Sequence, residues 1–193
     1  KESFLLSPEH YYAYTKYIGE KMTESYCKIN NVNYVIFRFF NVYGLKSNAV
    51  VAKFIAQKIQ KKKITIYGDG KQKRDFIHID DLNNAIYKAI KLRKIKNEIF
   101  NIGSGNATSV LKLKNIISSD KNHIHLKKRN DDIEISISDI SKIRKKLDWK
   151  PFVDFKKGVK EMEKNDKSRL INLKIPSIKS QINLIKKFNI SNK

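Results

Sequence analysis

Apolar positions Tyr14, Ile18, Met22, Tyr26 and Ile29 recur at steps of four, four, four and three. That spacing predicts an amphipathic helix over 11–30. The stretch NYVIFRFFNV, 33–42, is dense in β-branched and aromatic residues and runs into Tyr43-Gly44, so a buried strand is expected there. A helix is predicted over 49–61. KITIYGDGKQKRDFIHI then reads as a strand, a Gly68-Asp69-Gly70 turn and a second strand. Asp80 is the expected N-cap of a helix running to about residue 92. EIFNI at 98–102 reads as a strand, GSGN as a turn, 108–118 as a helix capped by Asn106 or Thr108, and 123–127 as a strand. Short helices are expected at 139–147 and 154–163. Strands alternating with helices predict an α/β architecture.

The texture changes near residue 164, where Lys, Ile, Asn and Ser dominate. Two units are therefore expected: 1–163, and a basic tail over 164–193. After Pro176, the residues Ile178, Ile182, Ile185 and Phe188 would form one face of a basic amphipathic helix. Packing on its own domain or on a partner is the preferred reading over attachment to a membrane surface.

Composition narrows the class. In 193 residues, 40% are hydrophobic and 31% charged, which describes a folded chain. No apolar run approaches the roughly 18 residues of a membrane span, and the opening KESFLLSPEH shows no signal peptide. The single Cys27 predicts a buried, reduced thiol and a cytoplasmic location. The net charge of +22 is carried mostly by lysines scattered over every segment. No stripe interleaves arginines with aromatics, so specific nucleic-acid binding is not expected, although the field favours a phosphorylated substrate.

Chemistry is concentrated in HYYAYTKYIGEK, 10–21. Four residues apart on a helix, Lys16 shares a face with Tyr12 and not with Tyr14 or Tyr17. A nearby ammonium stabilises a phenolate and makes a tyrosine a usable proton acceptor. Glu20, one turn further, is placed to pair with Lys16 or to face solvent. His123 and His125 alternate on a strand but have no evident third ligand, so no metal site is expected. Gly103-Ser104-Gly105 follows a strand as a dinucleotide fingerprint would, but Thr108 stands where the third glycine belongs; a plain turn is expected.

SPEHYYAYTKYIGEK resembles the active-site helix of the extended short-chain dehydrogenase/reductase family, and four further blocks resemble it in order. They are RFFNVYG at 38–44, ITIYGDGKQKRDFIHIDDLNNAI at 64–86, FNIGSGNATS at 100–109 and RNDDIEISISDISKIRKKLDWKP at 129–151. The likeness is greatest to nucleotide-sugar epimerases and dehydratases, UDP-glucose 4-epimerase-like enzymes in particular. It implies the C-terminal part of a Rossmann-type parallel sheet plus a small α/β substrate-binding lobe, with NAD as cofactor and a nucleotide-diphosphate sugar, a UDP-sugar, as substrate. It also implies a homodimer in the complete enzyme.

Within that resemblance Tyr12 is the base, and Lys16 tunes it and holds the nicotinamide ribose. Tyr14 and Tyr17 are then packing residues, and Tyr11 site wall. Asn41 would contact the diphosphate, against a strand-end turn as the plain reading. Arg74 would grip phosphate bidentately, against an ion pair with Asp75 or Asp80. Tyr67 would flank the base, against core filling. Arg129 and Asp132 would reach phosphate and ribose, against a loop salt bridge. Asp131 departs from the glycine usual in that block, and the loop LKSNAVVAKF after Gly44 is short for the family. The family's glycine-rich phosphate loop and catalytic Ser/Thr strand are absent from the sequence, so the expectation is a C-terminal portion with little activity alone. The rivals are a 4,6-dehydratase or decarboxylase of the same family, and a non-catalytic sugar-nucleotide-binding or interaction module.

Overall fold

The computed structural model describes residues 1–183 apart from Arg93 and Asp131. Its helices and strands interleave: α1 (Tyr11–Ile29), β1 (Val35–Phe39), β2 (Asn41–Tyr43), α2 (Val50–Ile59), β3 (Ile64–Tyr67), β4 (Lys73–His78), α3 (Ile79–Lys91) and β5 (Glu98–Ile102). There follow β6 (Ala107–Ser109), α4 (Val110–Ile117), β7 (His123–Leu126), β8 (Ile135–Ser136), α5 (Ser141–Leu147), α6 (Phe155–Asn165) and α7 (Lys167–Ile171). The pairs β1–β5, β2–β4, β3–β7 and β4–β8 are parallel, and β4–β6 is antiparallel. This is a mixed α/β fold built on parallel pairing.

The strand expected over 33–42 is two strands in two sheets. β1 pairs with β5 up to Phe39–Ile102, and Phe40 donates its N–H to the Ile102 carbonyl. Beyond Ile102 the partner turns away at Gly103, so no further backbone acceptor follows in that register. The chain therefore crosses to β4, where Asn41, Val42 and Tyr43 pair with Phe76, Ile77 and His78. Among the described residues no strand pairs the other edge of β1.

Two helix caps also differ from expectation. α3 is capped by His78, whose Nδ1 accepts from the Asp80 N–H at 3.2 Å, and Asp80 sits in the first turn. α4 is capped by Ser109, whose Oγ accepts from Lys112 N–H at 3.1 Å. In both cases the cap is the last residue of a strand, so strand pairing fixes where the helix begins.

Two cores result. One gathers Tyr43, Ile55, Ile66, Phe76, Leu113 and Met162 around α2, which is apolar nearly all round and buried accordingly. The other gathers Ile77, Phe100, Ile102, Ile143, Leu147 and Trp149 beneath β4 and β5. Gly158 of α6 lies against Tyr43; a Cβ there would stand 2.6 Å from the phenol oxygen. Burial pushes the Tyr43 phenol well above its ordinary pKa. Cys27 is a buried free thiol, as expected.

The stretch after 164 packs on the first core. Leu170 is fully buried, and Gln60 of α2 donates to the carbonyls of Leu170, Ile171 and Leu173. Asp166 accepts from Arg169 and from the Lys46 N–H, while Arg169 also donates to Asn48 and to the Ser47 carbonyl. This clamp secures the short loop after Gly44. Residues 178–183 are helical, but the inward residue is Gln181 and both Ile178 and Ile182 are partly exposed. Ile185 and Phe188 lie outside the described residues. No described helix is long and apolar enough to cross a membrane.

Candidate active site

α1 starts at His10, whose Nδ1 accepts from the Ala13 N–H at 3.2 Å. One turn in, the Lys16 ammonium lies over the Tyr12 ring, 5.2 Å from its centroid. The pair shares a face as the four-residue step requires. Tyr12 is 66% exposed. Glu20 is not Lys16's partner: both its oxygens accept from Arg38, at 2.8 and 2.7 Å, which ties α1 to β1. That bond to Glu20 holds the Arg38 pKa above the ordinary guanidinium value. Tyr11 and Tyr14, expected as wall and packing, are both exposed because α1 buries only Cys27 among its own residues.

The remaining candidates meet on β4 and the segments beside it. Arg74 forms an ion pair with Asp132 and donates to the carbonyls of Lys73, at 2.8 Å, and Ile133, at 2.5 Å. Its partner is thus neither Asp75 nor Asp80. The plain loop pairing expected of Arg129 and Asp132 reduces to a backbone bond, Asp132 N–H to Arg129 carbonyl at 3.3 Å. The Arg129 guanidinium lies instead over the Tyr67 ring, 4.0 Å from its centroid. Asn41 donates its side-chain N–H to the Asp75 carbonyl at 3.1 Å, which fixes it beside β4 one residue from Arg74. Arg74, Arg129, Asp132 and Tyr67 therefore form one contiguous group.

Three supporting residues escape a reading of the sequence alone. Gln72 donates to the Tyr67 carbonyl at 2.7 Å and to Asp132 at 3.3 Å, joining both ends of the group. It stands two residues from Arg74, the same-face step of a strand, and that was the available signal. Gln181 accepts from the Tyr67 hydroxyl at 2.8 Å. Asp75 is fully buried and accepts from Ser104 N–H at 2.7 Å, Gly105 N–H at 3.0 Å and Ser138 N–H at 3.0 Å, with the Ser104 and Ser138 hydroxyls completing its shell.

That shell decides what the glycine turn can do. The Ser104 and Gly105 amides, which would cradle a phosphate in a dinucleotide fingerprint, are already bound to Asp75. A Cβ at Gly103 would come within 2.5 Å of the Asp75 carboxylate, so this glycine serves close approach of that side chain. The described residues hold no other glycine-rich turn between a strand and a helix. Among the described residues, the Tyr12 phenol and the Lys16 ammonium are then the groups that could hold the nicotinamide ribose of an NAD. His125 Nδ1 lies 2.7 Å from the Gly68 carbonyl, and no described group of three His, Cys, Asp or Glu residues is placed to hold a metal.

A family model, "NAD dependent epimerase/dehydratase family", matches residues 1–103. UDP-glucuronate 4-epimerase of Thermodesulfobacterium geofontis is 32% identical over 162 residues, 80% of this chain and 49% of that protein. UDP-glucuronic acid decarboxylase 1 of Arabidopsis thaliana is 30% identical over 165 residues, 81% of this chain and 38% of that protein. The structure of UDP-glucuronic acid 4-epimerase from Bacillus cereus, in complex with UDP-glucuronic acid and NAD, superposes with a TM-score of 0.81 at 31% identity, covering 88% of this chain and 56% of that one. The chain spans about half the length of the curated relatives it matches. The fold is the Rossmann type shared by these structures.

Proposed function

The chain belongs to the NAD-dependent epimerase/dehydratase family, and on that premise we propose that it is the substrate-gripping and proton-transferring part of a nucleotide-sugar epimerase acting at C4 of a UDP-sugar. The observation that carries this reading is the meeting of Tyr67, Arg74, Arg129 and Asp132. Two guanidinium groups beside a flat ring suit a diphosphate attached to a base, and the aspartate bonded to Arg74 would reach a ribose hydroxyl. Asn41, held on the Asp75 carbonyl, adds an amide beside the phosphates.

At the other end the Tyr12 phenol takes the proton from the sugar hydroxyl and returns it. The Lys16 ammonium lies over its ring, on the same face of α1. NAD, when bound, accepts and returns the hydride at the same carbon. Relatives include a decarboxylase, and the same grip and the same tyrosine serve that chemistry or a 4,6-dehydration equally.

UDP tests the grip directly. Thermal melts of the 193-residue chain should rise with UDP concentration, because a ligand held by the native state alone stabilises it. Arg74→Ala should abolish the rise, since it removes a half-buried guanidinium whose charged hydrogen bonds to phosphate would be worth roughly 1.5–3 kcal/mol each. A cooperative melt with no UDP response at millimolar ligand would favour a non-catalytic interaction module instead.

A further inference from the structure

Gln181 lies beyond the blocks that carry the family resemblance, yet it reaches the proposed nucleotide site. It is 8% exposed, while Ile178 and Ile182 on the same helical stretch are at 43% and 36%. A segment that merely sought apolar cover would turn an isoleucine inward. Burying an amide costs free energy unless both its ends are bonded, and here both are. Its Oε1 accepts from the Tyr67 hydroxyl at 2.8 Å, and its Nε2 donates to the Pro176 carbonyl at 2.8 Å. Its own backbone N–H is bonded to the Ser177 carbonyl at 2.9 Å. The oxygen is thus aimed at the phenol by a side chain with little freedom to turn.

We infer that Gln181 is a positioning residue for base recognition, fixing the in-plane direction of the Tyr67 ring so that its face meets the heterocycle of a nucleoside diphosphate. The inference rests on Tyr67 flanking the base, as proposed above. A hydrogen bond at the hydroxyl tip constrains a ring but leaves its faces open. One face already accepts a planar group, the exposed Arg129 guanidinium at 4.0 Å. The segment over 176–183 therefore holds the edge of the site without filling it, and its contribution is to the base, not to the phosphates.

Calorimetric titration of the full chain with UDP and with inorganic pyrophosphate separates these possibilities, each variant first being checked for a cooperative melt. Gln181→Ala should weaken UDP about ten-fold, within the range that one base stack is worth. It should leave pyrophosphate within about two-fold. Tyr67→Phe, which keeps the ring and removes only the hydroxyl, should cause the same base-dependent loss. The double variant should be no weaker than either single one, because both remove the same bond. Wild-type UDP affinity in Gln181→Ala, an equal loss for both ligands, or losses that multiply in the double variant would overturn the inference alone. If wild type binds pyrophosphate as tightly as UDP, the base-flanking reading of Tyr67 falls and the inference with it; if it binds neither, the nucleotide-sugar reading itself falls.

Discussion

Lys16 and Arg74 are the two cations proposed to act on one substrate, and their surroundings are opposite. Arg74 is 17% exposed, bonded to a carboxylate and two carbonyls, on a strand paired along both edges. Lys16 rides on a helix whose apolar residues Ile18, Met22 and Tyr26 are all more than half exposed. The difference teaches where preorganisation comes from. A side chain is held by the packing of the element beneath it as much as by its own partners, and β4 has that packing while α1, in this chain, is tied mainly through Glu20 to Arg38 and through Cys27. The Arg74 side chain is fixed by its surroundings, and the Lys16 side chain is not.

A large effect should come from striking the packed side at its closest approach. Gly103→Ala would push a methyl into the Asp75 carboxylate and the Ser138 hydroxyl, neither of which can retreat without breaking the buried shell. Overpacking plus a lost charged hydrogen bond should cost about 3 kcal/mol, a fall in Tm of roughly 6–12 °C for a chain of this length. Melts of the two proteins side by side measure it. Loss of under about 1 kcal/mol would mean that the Asp75 shell is loose, and the contrast with α1 would shrink.

A smaller effect is expected at the Asp166–Arg169 clamp. The hydrogen bond from Arg169 holds the Asp166 carboxyl below the usual carboxylate range. A depressed pKa in the folded state means stability that is present above the unfolded value, about 3.9, and lost as pH falls through the folded one. Asp166→Asn should therefore cost about 1–2 kcal/mol near neutrality. The gap from wild type should close as pH falls from about 5 towards 3. A gap that persists unchanged at the acid end would assign the loss to packing and not to charge.

How much of this was legible in the sequence follows from the range of each interaction. The Tyr12–Lys16 pair is four residues wide, and helix periodicity alone puts both on one face. The strand EIFNI and the helix beginning near Val50 are local patterns too, and they stand where expected. The crossing at Phe40 was hidden, because both halves of NYVIFRFFNV have strand composition and only the end of β5 decides where pairing stops. The caps His78 and Ser109 were hidden for a related reason: each is a strand residue first. Arg74 and Asp132 were each singled out, but their pairing spans 58 residues and depends on β8 lying beside β4. Gln181 lies in a stretch whose isoleucines suggested a different inward face.

The smallest effect, and the sharpest measure of the contrast, is expected at Ile18 of α1, read against the same change at its buried counterpart Ile55 of α2. Ile55 in α2 is fully buried, and Ile55→Ala should cost about 2–5 kcal/mol through lost burial and a residual cavity. Ile18 in α1 is 52% exposed, so Ile18→Ala removes little apolar contact. Alanine is also the better helix former by a few tenths of a kcal/mol, which offsets part of what is lost. The net change should stay within about 0.5 kcal/mol, read from denaturant midpoints with an unchanged slope. A cost at Ile18 approaching that at Ile55 would mean that the outer face of α1 is covered in solution, and Lys16 would then stand on an element as firmly packed as the one beneath Arg74.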